Sequence, residues 1–115
     1  MTTKPTYRLL ILATLVICPV SAMSATSGED MYMTSCATCH GDDGTGEMPG
    51  VADLSINTQW TQMSDEKLIV HLSKGISRPG AAMTMPPKGG NPDLSNADLT
   101  KIITFMRKNI IIAPR

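Results

Sequence analysis

Cys36-Ala37-Thr38-Cys39-His40 sets two thiols three positions apart with an imidazole directly after the second. This is the C-x-x-C-H pattern of haem attachment, and the spacing has a mechanical reason. Thiols on adjacent turns can add to the two vinyl groups of a porphyrin, while the histidine beside the second is aimed at the iron. Three other readings compete: a disulfide, a thioredoxin-type redox pair, or half of a zinc site. A redox pair wants a strand before it. Zinc wants two further ligands, and His71 is the one other histidine in the chain.

Iron in such a site takes a second axial ligand, and a thioether is the usual partner where a protein only moves electrons. Met85 is the preferred candidate because Pro86 and Pro87 stiffen the chain behind it and push the preceding residue into an extended conformation. Met83 and His71 are the alternatives. Met83 lies two residues earlier, so on an extended strand it points away from the face that Met85 uses. His71 sits in a helical pattern beside Leu68 and Leu72, where a partly exposed histidine needs no metal to explain it. Met48 and Met63 are expected to pack at the haem edge or in the core.

Outward from this motif, three helical segments are predicted. One runs from about Glu29 to Ser35 with two acids in its first turn, leading into Cys36. A second has Ser64 as N-cap, Leu68, Ile69 and Leu72 as its apolar face, and Lys74-Gly75 at its end. In the third, Ser95-Asn96-Ala97-Asp98 resembles a capping box, and Leu99, Ile102, Ile103 and Met106 recur at helical spacing. Between them, residues 41–58 read as a glycine-rich acidic loop, and residues 76–92 as an irregular but stiff proline-rich one.

The chain has 115 residues, one small domain at most, with ten basic and ten acidic side chains, which argues against a nucleic-acid partner. Lys4, Arg8 and the apolar stretch from Leu9 to Val20 read as a signal peptide within residues 1–25, cut after Ala22 or after Ala25. The apolar run is short of the about 20 residues that a spanning helix needs, which disfavours a retained anchor. Leu15-Val16-Ile17-Cys18 loosely resembles a lipoprotein signal, but Ile17 stands where that signal wants a small residue. Removal of the leader leaves eight basic and ten acidic side chains, a formal charge of −2. It also leaves only Tyr32, Trp60 and Phe105 as aromatics, so a large flat apolar cofactor is expected to fill the middle of the domain at residues 26–115.

Over almost all of that segment the sequence resembles the small class I bacterial c-type cytochromes. The likeness rests on Gly28 and Tyr32, on Cys36 to Gly41, on Asp42-Asp43-Gly44-Thr45-Gly46, on Met85-Pro86-Pro87, and on Ser95 to Arg107 with Phe105. It implies an all-α fold of three or more helices around one covalent haem c, with Cys36 and Cys39 as thioethers and His40 and Met85 on the iron. It further implies that Gly28, Tyr32 and Phe105 mark the crossing of the first and last helices. In the family a loop carbonyl, usually a proline's, receives the histidine's Nδ1–H. Pro49 is the available proline, although the family often places it directly before Asp-Leu, where this sequence has Ala52 before Asp53-Leu54. Trp60, Arg78 and Lys88 are candidate donors to the haem propionates.

Such a site implies outer-sphere electron transfer. An iron with two protein ligands has no open position for a substrate, and no Ser-His-Asp set, phosphate loop or paired carboxylates offers another chemistry. The expected protein is a periplasmic electron carrier, not an enzyme, whose partners are periplasmic or membrane-bound redox proteins and whose mature chain does not insert into a membrane. A haem subunit of a larger periplasmic dehydrogenase is the alternative, and a haem sensor or peroxidase-like protein a third reading.

Overall fold

A computed structural model describes residues 1–2, 25–56 and 58–110. The leader expectation, Cys18 included, therefore lies almost wholly outside the described residues. Among the described residues five helices appear in order: α1 (Gly28–Ser35), α2 (Ala37–His40), α3 (Thr58–Thr61), α4 (Asp65–Lys74) and α5 (Asn96–Asn109), with a tight turn over Pro87–Gly90 ahead of α5. Among the described residues there are no strands beyond one isolated bridge, Ile76 to Met85, which bears out the all-α expectation. No described helix is long and apolar enough to cross a membrane.

The helix starts follow from short polar side chains that satisfy otherwise orphaned backbone donors. Ser95 accepts from the Asp98 backbone N–H while Asp98 reaches back to Ser95, completing the capping box expected for α5. Ser27 and Asp30 do the same for α1, one residue earlier than the sequence reading placed its start. Ser64 caps α4, and Gly75, at φ +77, ends it.

The first and last helices cross. A Cβ at Gly28 would collide with the carbonyl oxygen of Lys101 and lie 2.6 Å from its carbon, so only glycine lets α1 lie against the backbone of α5. Beside this contact the rings of Tyr32 and Phe105 meet at 5.4 Å and 45°, as expected for the three residues. Tyr32 is fully buried, and its hydroxyl donates to the Gly41 carbonyl at 2.8 Å, tying α1 to the residue that follows the Cys-His motif. Leu99, Ile102 and Ile103 on the inner face of α5 are buried to a similar degree.

Arg107 closes the far end. Its Nε donates to Asp65 at 2.7 Å and its two terminal nitrogens to the carbonyls of Thr61 and Met63. The ion pair is about a third to a half exposed, so its charge contribution is screened, and most of the stabilisation comes from the bonds to the two carbonyls. Arg107→Ala is expected to lower the stability of the haem-loaded protein by about 1 kcal/mol, read from the urea midpoint.

Candidate functional site

The helices enclose a cavity of about 460 Å³, within the size range of sites for large organic cofactors. Its wall is mostly aliphatic, with Leu68 and Leu72 from α4, Ile102 and Met106 from α5, and Leu54 and Leu94 from the loops. The sequence reading treated the inner faces of α4 and α5 as core. They are core on one side and cavity wall on the other, a distinction that periodicity does not carry.

Cys36, Cys39 and His40 all line the cavity. Cys36 ends α1, and α2 carries Cys39 and His40 on a single turn. Gly89, at φ +65, lets the loop before α5 approach closely: a Cβ there would sit 2.6 Å from the Ser35 carbonyl oxygen and 3.8 Å from the Cys36 sulfur. Sequence reasoning missed this brace, although Gly89-Gly90 after two prolines was the signal for it.

The geometry weighs against the competing readings of the cysteines. Both thiols are free. Burial, and secondarily Cys39, pushes the Cys36 thiol up to about 11, the opposite of what thiol–disulfide exchange requires. A helix, not a strand, precedes the pair. Among the described residues no three His, Cys, Asp or Glu side chains gather to hold a metal ion, which gives the zinc reading no support.

Burial lowers the pKa of His40 and the Ala52 carbonyl partly offsets this, which favours the neutral ring, the form that binds a metal. That carbonyl lies 3.4 Å from His40 Nδ1. The acceptor is thus Ala52 and not Pro49, which corrects the expectation drawn from the family. Pro49 is used in a turn closed by Val51 N–H to the Met48 carbonyl, and the chain reaches the ring only three residues later.

Met85 lines the cavity as well. Its backbone exchanges two hydrogen bonds with Ile76, at 3.0 and 2.9 Å, which fixes the loop to the end of α4. Gly75 makes room for this, since a Cβ there would meet the Met85 carbonyl oxygen at 2.6 Å. Met83 also lies on the cavity lining, contrary to the alternation argument. Only Met85 occupies the bridge, and the irregular chain before it has no strand period to turn Met83 away. Met83 remains 40% exposed. His71 is exposed and off the lining, packed edge-on against Trp60. Met48 is exposed and Met63 packs against the core.

Trp60, Arg78 and Lys88 line the cavity together. No acid does so among the described residues, so the lining is electropositive. Lys88 donates to the Pro92 carbonyl at 2.9 Å, so part of its donor capacity is used. Trp60 is buried, and its Nε1 has no hydrogen-bond partner among the described residues. A buried indole N–H left without an acceptor is costly. A flat apolar body with a carboxylate edge would fill the aliphatic space, supply that acceptor and meet the two cations. The residues present therefore fit a haem.

Comparison with known proteins agrees. Residues 23–106 match the family described as cytochrome c oxidase, cbb3-type, subunit III. The chain is 33% identical over 86 residues to cytochrome c-555 of Chlorobaculum tepidum, covering 74% of this chain and 76% of that one. It is 25% identical over 90 residues to cytochrome c-555 of Prosthecochloris aestuarii, covering 74% and 87%. Among solved structures, the KustC0563 c-type cytochrome superposes with a TM-score of 0.54 at 22% identity, over 74% of this chain and 99% of that one. The c-type cytochrome XoxG from Methylobacterium extorquens AM1 does so with a TM-score of 0.52 at 23% identity, over 76% of this chain and 53% of that one. The fold is the small class I cytochrome c fold, and the family's prosthetic group is haem c, an iron porphyrin bound covalently to the chain. By its matched segment and its relatives, this chain belongs to the c-type cytochromes, within the family of that description, and carries electrons.

Proposed function

We propose that the chain is an exported, periplasmic monohaem carrier of single electrons and not an enzyme, with Cys36 and Cys39 as thioethers and His40 and Met85 on the iron. The observation that carries this reading is the cavity, with both thiols and the imidazole of one short segment on its wall and Met85, pinned by the Ile76 bridge, on the same lining. The haem supplies a one-electron couple. The residues set its terms. Ala52 fixes which nitrogen of His40 is free, the Met85 thioether favours the reduced state, and the aliphatic wall excludes water and penalises the extra charge of the oxidised one. Trp60 and Arg78 act as donors to the propionates, with Lys88 beside them.

Residues 1–25 serve as the leader in this reading, so the mature chain starts after Ala22 or Ala25 with a formal charge near −2. Its partners are periplasmic or membrane-bound redox proteins, met through small, short-lived contacts. A second reading, a haem subunit held in a larger complex, draws support from the matched family, whose description names an oxidase subunit.

One purification from the native envelope tests both. The protein is expected to keep haem-dependent peroxidase stain on a denaturing gel, to carry one haem by mass, to start near Met23 or Thr26, and to elute alone in high salt. Loss of all haem into acidified organic solvent rejects covalent attachment. Co-elution with one large chain replaces the free carrier with the subunit.

A further inference from the structure

Met85 is held from both sides, and the two holds differ in kind. On one side is the Ile76 bridge, made by backbone atoms that nearly any residue would supply. On the other, Pro86 leads into the turn over Pro87–Gly90, and one side chain just past that turn fastens it to α1. Asn91 Nδ2 donates to Ser35 Oγ at 3.1 Å, joining residues 56 apart in sequence, so neither element's own geometry supplies the bond. Ser35 is the last residue of α1, directly before Cys36.

Asn91 is itself fixed in place. Pro92 confines it to extended backbone, at φ −104 and ψ 97, and its Oδ1 accepts from the Asp93 N–H at 3.1 Å. Its own N–H donates to the Lys88 carbonyl at 3.2 Å. The turn needs such a clamp, because Lys88 stands at φ +55, a left-handed conformation that a lysine keeps only where its surroundings enforce it. The loop on Met85's other side adds little. Residues 77–84 are exposed, and a Cβ at Gly80 would meet nothing within 4 Å.

We infer that Asn91 is a positioning residue which, through Ser35, keeps the Met85 thioether at its site. The inference rests on the haem reading above, with Met85 on the iron. An isolated bridge between one pair of residues acts as a hinge, holding Met85 to Ile76 while leaving the pair free to swing together. The bond from Asn91 to Ser35 stops that swing, so departure of the thioether costs this bond as well. It also ties the loop that carries the proposed ligand to the helix that leads into the haem-bearing cysteines.

The test is carbon monoxide uptake by the ferrous, haem-loaded protein, followed by stopped flow at one gas concentration. Carbon monoxide can take the position only while Met85 is away, and the exchange moves no electron. Asn91→Ala should raise the rate about fivefold, the change in open population that loss of one net hydrogen bond produces. Ser35→Ala should do the same, and the double variant should go no further than either single one, because all three remove one bond. Ser35→Thr, which keeps the hydroxyl, should stay near the wild type. Arg107→Ala separates positioning from general weakening, since it should lower the urea midpoint, as expected above, and leave the rate alone. Wild-type uptake in either Asn91→Ala or Ser35→Ala overturns the inference. So does an additive double variant, in which the two side chains act separately, and so does an Arg107→Ala protein as fast as Asn91→Ala. Through all of these results the wild type keeps its thioether-dependent absorption, whereas a wild type that lacks it and takes up carbon monoxide at once defeats the Met85 reading itself.

Discussion

Met85→Ala is expected to lower the reduction potential by on the order of 100 mV and to open the iron to carbon monoxide in the reduced protein. In the proposed site Met85 would supply the second protein ligand, and a thioether there would stabilise ferrous over ferric iron. Alanine leaves the Ile76 bridge intact because that bridge is made by backbone atoms alone. The loop should therefore keep its path, and the loss should be electronic, not structural. The weak long-wavelength absorption of methionine-ligated ferric haem should disappear with the side chain. Met83→Ala should leave band and potential unchanged, since Met83 is 40% exposed and lies outside the Ile76–Met85 bridge. If Met83→Ala abolishes the band and Met85→Ala does not, the ligand is Met83 and the mechanism stands. A wild type that lacks the band and takes up carbon monoxide would instead fit the sensor or peroxidase-like reading.

Gly28→Val is expected to cost about 3 kcal/mol or more, a large share of the stability of a small domain. The colliding group at Gly28 is the Lys101 backbone carbonyl, which cannot rotate aside as a long side chain would. Separating α1 from α5 also pulls the Tyr32 and Phe105 rings apart and strains the bond from Tyr32 to Gly41. Urea unfolding of the haem-loaded variant should show the fall in midpoint, and Gly28→Ala should show a smaller fall in the same direction. A valine variant as stable as the wild type would mean that the helices can slide apart at little cost, contrary to the close approach seen here.

These two effects differ in how far they could be read in advance. The Cys-His motif, Met85 before two prolines, and the capping box at Ser95 are local patterns whose meaning depends on neighbours within a few residues. The structure brings the motif and Met85 to one cavity and builds the box. The crossing at Gly28 was reached through likeness to a family, because nothing in the flanking residues says what lies against that glycine. The Ser27–Asp30 box was legible, as it has the same spacing as the one at Ser95. Four-residue helices such as α2 and α3 have no period to betray them. The acceptor at His40 was misplaced because it depends on where a loop backbone passes, and a carbonyl is common to every residue. Met83 was misjudged by lending strand alternation to a segment that has only one bridged position.

The contact between α1 and α5 joins the beginning of the described domain to its end, and this governs when the domain can form at all. While the chain is being made, every segment up to residue 95 lacks the helix against which Tyr32 and Gly28 pack, so no emerging portion can close the core early. The core therefore stays open until α5 has formed. For the exported protein proposed above, that delay is useful. A chain that cannot fold prematurely remains threadable through a translocation channel.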